Sequence, residues 1–350
     1  MSGEICFARL NTKNKAAAKG SIVKRLLIVI LLGAGAWFSY WGIGHFNTNA
    51  AYETWFEDRR NSGWLAEYGS LKTRGFPNRL DTTFEGISLA DQNSGLFWST
   101  DKFKLFTLVY QPNHVIALWP NQQIVETPHQ KSLISAEDLR ASIVLDKTQQ
   151  RAIKRANLVG KGLTIASEST TDLLLSDLRV AVRQVDDVPD TLVVAVQADG
   201  VTRRYSDNPQ RVAPTIDTLL LELSIKFDQT WDRRALEQQR PQPVKISIRN
   251  AMANWGKFEI KLAGELEIDA QGYPTGNLTV RAQNWMEMLA IARKNNRHDQ
   301  LTLDLLEQGL NLVSHLSDNT QAFDIPLRLA DKKMFLGPVP IGTAPKLRLR

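Results

Sequence analysis

Apolar and polar residues alternate along most of the chain beyond residue 100, and this period of two is typical of β-strands that bury one face. The pattern is clearest in Phe258–Ile268, where Phe, Ile and Leu alternate with Glu and Lys. Such strands pack one face and show the other to water. The segments that we predict to be strands are 105–110, 114–119, 141–145, 173–185, 192–198, 219–227, 244–248, 258–268 and 278–282.

Short connections between these segments predict antiparallel pairing. Asp186 and Asp187 begin a predicted turn, where aspartate is favoured because its side chain bonds to the backbone. Residues 270–277 contain two glycines and a proline, which predicts a hairpin connection. Lys161 lies between two glycines, and we interpret it as part of a turn because no helix follows it, as one would in a phosphate-binding loop. No β-α-β rhythm is present, so a parallel nucleotide-binding sheet is disfavoured.

Helical periodicity is confined to a few segments. Tyr52, Trp55 and Phe56 share one face of a short amphipathic helix predicted over 51–64, which we place in a connecting segment at 44–64. Apolar stripes predict helices over 285–297 and 299–316 that pack on the sheet, and a short helix is predicted over 230–239. The expected fold class is α+β, mainly β: an N-terminal transmembrane helix followed by curved antiparallel sheets with a few packed helices. No repeat or linker divides residues 65–350, which we expect to form one exported domain.

The longest apolar run lies near the N-terminus. Leu26–Ile43 contains eighteen residues without a charge, and a helix of that length, at ~1.5 Å per residue, nearly crosses a ~30 Å hydrocarbon core. Cations close its first end, and aromatic rings that favour the headgroup level crowd its second. We therefore predict a transmembrane helix over 26–43. The residues expected to define this anchor are Lys24, Arg25, Leu26, Trp37, Tyr40, Trp41 and Ile43.

Charge predicts the orientation of this helix. Residues 1–25 carry six cations and one anion, and a tail with such an excess of Lys and Arg stays in the cytoplasm. We therefore expect a single-pass protein of a Gram-negative inner membrane, with its C-terminal domain in the periplasm. The alternative is a cleaved signal peptide. The apolar run exceeds the usual ~7–15 residues of such peptides and lacks a clean A-x-A site, which favours an uncleaved anchor.

Composition excludes some classes of function. The chain has 43 Lys and Arg against 37 Asp and Glu, so the tail accounts for five of the six net charges and the exported part is nearly neutral. No segment interleaves basic and aromatic residues, so nucleic acid is not an expected partner. Cys6 is the single cysteine and lies before the membrane helix, which excludes a disulfide within the chain.

Candidate chemistry is sparse. The sequence contains no hydrolase, metalloprotease, phosphate-loop or EF-hand motif, and its five histidines lack metal-ligand spacing. We therefore predict no catalytic residue, no metal and no cofactor, and we interpret His114 as structural. The apolar strand faces remain as a candidate site. Helices could close them into an ordinary core, which the sequence favours, or the faces could stay open as a groove for acyl chains.

Several short motifs follow one another in a family-specific order. They are Gly75-Phe76-Pro77-Asn78-Arg79-Leu80, Gln111-Pro112-Asn113-His114-Val115, Asn254-Trp255-Gly256, Asp269-Ala270-Gln271-Gly272 with Gly276, Ile325-Pro326-Leu327 with Asp331, and Leu336-Gly337-Pro338-Val339-Pro340. Over residues 30–345 this succession resembles domain of unknown function 2125. The family pattern usually has an aromatic residue where this chain has Asn78, and a glycine near Lys332 or Lys333. We take the motif residues to be structural.

The resemblance implies a membrane-anchored, exported, β-rich protein similar to the AsmA-like envelope proteins, whose curved sheets are associated with lipid movement or outer-membrane assembly. Our leading hypothesis is a non-enzymatic envelope protein. Its expected partners are the lipid bilayer, a phospholipid or another apolar ligand, and envelope proteins. The alternatives are a protein-interaction scaffold with a closed core and an envelope hydrolase, which would need two carboxylates converging in a cleft.

Overall fold

The computed structural model describes residues 12–92, 94–148, 151–168, 171–205, 213–237, 240–295, 322–337 and 339–349, together with residues 303, 304, 307, 308 and 310. One long helix precedes a single large antiparallel sheet. Strands hold 61% of the chain and helices 19%, which confirms the predicted class, mainly β with an N-terminal helix.

The N-terminal helix, α1, runs without a break over Thr12–Asn61. The predicted anchor at 26–43 and most of the predicted connecting segment at 44–64 are therefore parts of one helix. No proline interrupts this stretch, so each N–H can continue the hydrogen-bond ladder. The chain leaves the helix at Gly63, which takes a φ of +84° and donates its N–H to the carbonyl of Arg60 at 3.0 Å.

Eighteen strands form the sheet, and all of their pairings are antiparallel. The strands are β1 (Leu65–Glu67), β2 (Ser70–Arg74), β3 (Arg79–Asp91), β4 (Leu96–Leu108), β5 (Gln111–Leu118), β6 (Gln122–Thr127), β7 (Gln130–Ser135), β8 (Asp138–Leu145), β9 (Ile153–Ser167), β10 (Thr171–Val185), β11 (Val188–Tyr205), β12 (Ile216–Phe227), β13 (Pro243–Trp255), β14 (Phe258–Ile268), β15 (Pro274–Gln283), β16 (Ala322–Ala330), β17 (Lys333–Leu336) and β18 (Val339–Thr343).

Most strands pair with their neighbours in sequence. The exception lies between β4 and β9. There β5 pairs with β8 and β6 pairs with β7, and each of these two pairs connects one part of β4 to one part of β9. Strands β1 and β2 both pair with β3 at one edge, and β18 pairs with β17 at the other. Within the described part of the chain the two edges do not pair with each other, so the sheet is open rather than a barrel.

Each of the nine predicted strand segments overlaps an observed strand, and 258–268 coincides with β14. The observed strands are often longer, since β11 has 18 residues where the alternation predicted seven. The predicted turn at Asp186 and Asp187 joins β10 to β11, and Asp187 has a φ of +62°. The predicted hairpin turn precedes β15, which already contains Gly276.

The interpretation of Lys161 as a turn residue is wrong, because this residue lies inside β9. It pairs with Asp138 on one side and with Asp177 on the other. The neighbouring Gly162 has a φ of +56°, and a Cβ there would lie 2.8 Å from the side chain of Glu137. The glycine therefore allows a local irregularity within a strand and does not end the strand.

Beyond α1, the residues that the structure describes form only a few short helices. The predicted segments at 230–239 and 285–297 contain α2 (Arg233–Glu237) and α3 (Trp285–Asn295). Of the predicted helix 299–316, the five described residues are helical, whereas Leu306 and Val313 lie outside the described residues. Trp285 and Leu310 are buried together with residues of β15, β16 and β17, so this helical region covers the last strands of the sheet.

Candidate functional site

A continuous row of apolar side chains crosses the sheet at right angles to its strands. Directly opposed residues of an antiparallel pair lie on the same face, so the pairing register identifies the row. It contains one residue from each of thirteen strands, and Thr107 is its one polar member. The row consists of Leu80, Thr107, Val115, Ile143, Ala156, Val182, Val194, Leu223, Ile248, Gly264, Leu278, Leu327 and Leu336.

A second apolar row lies beside the first on the same face, two residues away along each strand except β13, where a bulge makes the separation three residues. It consists of Leu105, Ala117, Ala141, Leu158, Val180, Val196, Leu221, Ala251, Leu262, Val280 and Ile325. With strands about 4.8 Å apart, thirteen of them give an apolar strip on the order of 60 Å long. The opposite face is different, because its corresponding positions include Arg155, Arg183, Ser224, Ser247, Glu265 and Arg328.

The strip is buried at both ends and half-buried in the middle. Leu80, Leu278 and Leu336 are 5–6% exposed, whereas every member from Thr107 to Ile248 is of intermediate exposure. Among the described residues, α1 packs on β1 to β3, and no helix packs extensively on the sheet between β8 and β14. The sequence favoured a face closed by helices, and over these strands none of the described helices provides that closure.

The most apolar stretch of α1 is exposed to solvent: Leu26 to Leu32 are each more than half exposed. The window of highest hydropathy in this helix has none of its residues buried, and the helix is long and apolar enough to span a membrane.

The apolar strip begins at α1. Gly44 lies one residue beyond the predicted membrane run, and a Cβ there would lie 3.5 Å from Val109 and 3.8 Å from Leu80, the first residue of the strip. The hydroxyl of Tyr40 donates to the carbonyl of Val109 at 3.3 Å. The first strip residue is therefore held against the end of the apolar run by direct contact with the helix.

Two tryptophans of α1 bind the turn that precedes β3. The indole N–H of Trp37 donates to the carbonyl of Pro77 at 2.7 Å, and that of Trp41 donates to the carbonyl of Arg79 at 2.9 Å. Phe76 packs on Phe38 and Trp41, with ring centroids 5.6 and 5.5 Å apart. Three residues of the predicted aromatic end of the anchor, Trp37, Tyr40 and Trp41, thus bind the sheet domain.

The turn itself depends on Gly75 and a cis peptide bond. Gly75 has a φ of +115°, and a Cβ there would lie 2.9 Å from the carbonyl oxygen of Arg79. The Phe76–Pro77 bond is cis. The carbonyl of Gly75 accepts the N–H of Arg79 at 2.9 Å, which closes the turn and leaves the ring of Phe76 pointing outward, 53% exposed.

A buried chain of polar side chains joins α1 to β2 and β3 just beyond this junction. Asn49 accepts the hydroxyl of Thr73 at 2.6 Å, and the hydroxyls of Thr73 and Thr82 are 2.9 Å apart. The ring of Tyr52 packs on Phe84 with centroids 5.2 Å apart, and burial raises the pKa of Tyr52 while a hydrogen bond with Thr82 opposes the rise. The periodicity of the sequence could not predict this contact of α1 with β2 and β3, because the contact depends on which strands pack against the helix.

The family-motif residues do not converge on one site. Gly75, Phe76 and Pro77 lie at the helix junction, while Gly256 occupies the turn between β13 and β14, with Trp255 ending β13. The remaining ones are dispersed over β5 (Pro112), the turn before β15 (Gly272), β15 itself (Gly276) and the turn after β17 (Gly337), and Pro338 lies outside the described residues. Of the anchor residues, Lys24, Arg25 and Leu26 lie well away from the sheet along α1.

No chemical centre was found in the described ranges. No three His, Cys, Asp or Glu side chains lie close enough together there to hold a metal ion. The imidazole of His114 is 2.9 Å from the hydroxyl of Ser142, an arrangement in keeping with the structural role predicted for it. A recess of about 370 Å³ beside Tyr110 is lined by Pro112, Asn113, Leu145, Asp146, Lys147 and Arg151, and it adjoins the helix junction through Val109.

Comparison with protein families matches residues 41–345 to the uncharacterized proteins conserved in bacteria that are designated DUF2125. The chain belongs to the DUF2125 family. The match begins at Trp41, so it includes α1 from Trp41 onward as well as nearly the whole sheet, while Trp37 and Tyr40 precede it. No curated protein and no solved structure matches the chain.

Proposed function

We propose that this DUF2125 protein is a non-enzymatic, membrane-anchored envelope protein whose apolar strip binds the acyl chains of a phospholipid. In this proposal α1 crosses the inner membrane with residues 1–25 in the cytoplasm, and the sheet stands in the periplasm. The observation that carries the proposal is the half-buried strip between Thr107 and Ile248, which lies on one face of the sheet and begins at the membrane helix.

The chemistry of the strip suits an acyl chain. Its side chains are aliphatic apart from Thr107, whose hydroxyl is the one hydrogen-bonding group that the strip offers a ligand. Covering such a surface gains about 25 cal/mol for each Å² removed from water. Exposed apolar patches of this extent usually mark binding surfaces in soluble domains. The likeness to AsmA-like envelope proteins, drawn from the sequence, supports the same interpretation by analogy.

Two neighbouring valines of β11 allow a matched test. Val194 lies in the strip opposite Leu223, whereas Val193 lies on the other face opposite Ser224. Both are half-buried and belong to the same strand. Val194→Asp places a charge against the proposed acyl chain, and desolvating that charge costs more than the ~1.4 kcal/mol that corresponds to a tenfold loss of binding.

The measurement is the amount of phospholipid retained per chain by full-length protein purified in mild detergent. We expect Val194→Asp to retain severalfold less phospholipid than Val193→Asp. Lipid bound around the membrane helix is common to both variants and cancels in the comparison. Equal retention would refute the proposal. Equal retention together with a stoichiometric protein partner, captured by crosslinking in cells, would favour the scaffold instead.

A photo-crosslinking amino acid gives a readout that does not depend on affinity. Placed at Leu223 it faces the strip, and placed at Ser224 it faces away. We expect crosslinks to phospholipid from the first position and not from the second. Crosslinks of equal yield from both positions would show that the face has no preference for lipid.

A further inference from the structure

The turn between β2 and β3 lies at the level of the membrane run, not beyond it. Phe38 is five residues before Ile43, the end of the apolar run, which corresponds to about 7 Å along the helix axis. Because Phe76 packs on Phe38 with centroids 5.6 Å apart, its ring is held at the same depth. If α1 spans a bilayer, this turn cannot remain in bulk water.

Four backbone carbonyls of the turn have hydrogen-bond partners within the protein. Backbone carbonyls that enter a bilayer need partners within the protein, since lipid offers none. The carbonyls of Pro77 and Arg79 accept the two indole N–H groups of α1, and Pro77 itself has no N–H to satisfy. The carbonyl of Gly75 accepts the N–H of Arg79, and that of Asn78 accepts the N–H of Val109 at 3.1 Å.

The side chains of the junction also suit the interface. Phe76 and Tyr110 are 53% and 54% exposed, and Phe38 is 60% exposed, so three aromatic rings face outward around the junction. Aromatic rings are favoured at the boundary between headgroups and acyl chains. The cations of the turn lie at its margins: Arg79 is paired with Asp81 at 2.9 Å, and Arg74 is exposed at the end of β2. Long cationic side chains at such positions can reach the headgroups.

We propose that the Phe76–Pro77 turn is inserted into the outer leaflet of the inner membrane, at the boundary of headgroups and acyl chains, with Trp37 and Trp41 as its polar supports. The sheet domain then rests on the bilayer, and Leu80 and Val109 lie where a lipid tail would leave the leaflet to enter the strip. This inference rests on the membrane anchor of the proposed function but not on lipid binding by the strip.

The depth of the turn can be measured directly in full-length protein reconstituted into lipid nanodiscs. With Cys6→Ser as background, Asn78→Cys places an environment-sensitive fluorophore in the turn, because the Asn78 side chain is exposed. Ser94→Cys places the same probe at the β3–β4 turn, beyond the other end of the 13-residue β3 and about 40 Å away. Leu32→Cys marks the bilayer interior.

We expect nitroxide on the upper acyl chain of the lipid to quench the Asn78→Cys probe at least twofold more than the Ser94→Cys probe. Adding Phe76→Asp should lower the quenching of the Asn78→Cys probe towards the level of the Ser94→Cys probe, because a carboxylate opposes insertion. If Asn78→Cys and Ser94→Cys are quenched equally while Leu32→Cys is strongly quenched, insertion of the turn is refuted and the anchor stands.

The same experiment separates the two proposals. If Leu32→Cys is not quenched by acyl-chain nitroxide, the membrane anchor itself fails, and with it both proposals. If the turn is inserted but Val194→Asp and Val193→Asp retain equal lipid, the domain docks on the membrane without using its strip as a binding site. Should Phe76→Asp fail to fold, Trp37→Phe serves as the second variant, since it removes only the N–H that supports Pro77.

Discussion

Phe56 packs α1 against the sheet, and removing its side chain should lower the stability of the protein. The side chain is 2% exposed and packs on Tyr68 and Phe84, with ring centroids 4.7 and 5.9 Å apart. A buried phenylalanine removes about 150–250 Å² from water, and Phe→Ala in a core costs about 3–5 kcal/mol because a cavity remains. Phe46 lies on the same helix and is 72% exposed, so Phe46→Ala should cost less than about 0.5 kcal/mol.

The assay is thermal unfolding of the full-length protein in one detergent, followed by tryptophan fluorescence. With an unfolding entropy of ~2.1 cal/mol/K per residue over roughly 300 folded residues, a loss of 3–5 kcal/mol lowers the Tm by about 5–8 °C. Phe56→Ala should show this shift, and Phe46→Ala should stay within about 1 °C of the parent protein. Equal shifts would mean that α1 does not pack on β3 through Phe56, and the rigid junction would have to be abandoned.

Two further predictions concern the sheet and the buried polar chain. Gly276→Ala should lower the unfolding free energy by about 3 kcal/mol, because its Cβ would lie 2.2 Å from the carbonyl oxygen of Glu265. Gly256 has a φ of +57°, but no atom lies within 4 Å of an added Cβ, so Gly256→Ala should lower the unfolding free energy by about 1 kcal/mol. Equal losses for the two variants in denaturant titrations would contradict the close approach at Gly276. Burial raises the pKa of Tyr52 above its usual 10.0, so its contribution to stability is present at neutral pH and is lost as the pH rises through the raised value. Tyr52→Phe should flatten the fall in stability as the pH rises above 10.0, and an unchanged slope would show that Tyr52 does not titrate with unfolding.

The sequence by itself determined the mainly-β class and the presence of an N-terminal helix that is long and apolar enough to span a membrane. Both depend on local patterns: alternation in Phe258–Ile268 and the uncharged run Leu26–Ile43. Strand β3 was missed because Arg79–Asp91 is rich in Asp, Thr and Glu, which conceal its alternation. Strand β9 was also not predicted, and one reason is that Gly160 and Gly162 suggested a turn.

Only the tertiary structure decided whether the apolar faces are covered. Alternation assigns Val194 and Leu223 to a face, but it does not say which residues of distant strands continue that face or whether a helix lies over it. The pairing register joins thirteen strands into one strip, and α1 meets the strip at Leu80 and nowhere near its middle. Local patterns could not predict the junction of α1 with the β2–β3 turn either, since the hydrogen bonds from Trp37 and Trp41 connect residues 38 to 40 positions apart. Burial and long-range contact are properties of the assembled chain, so no local pattern could have predicted a half-buried strip that begins at α1.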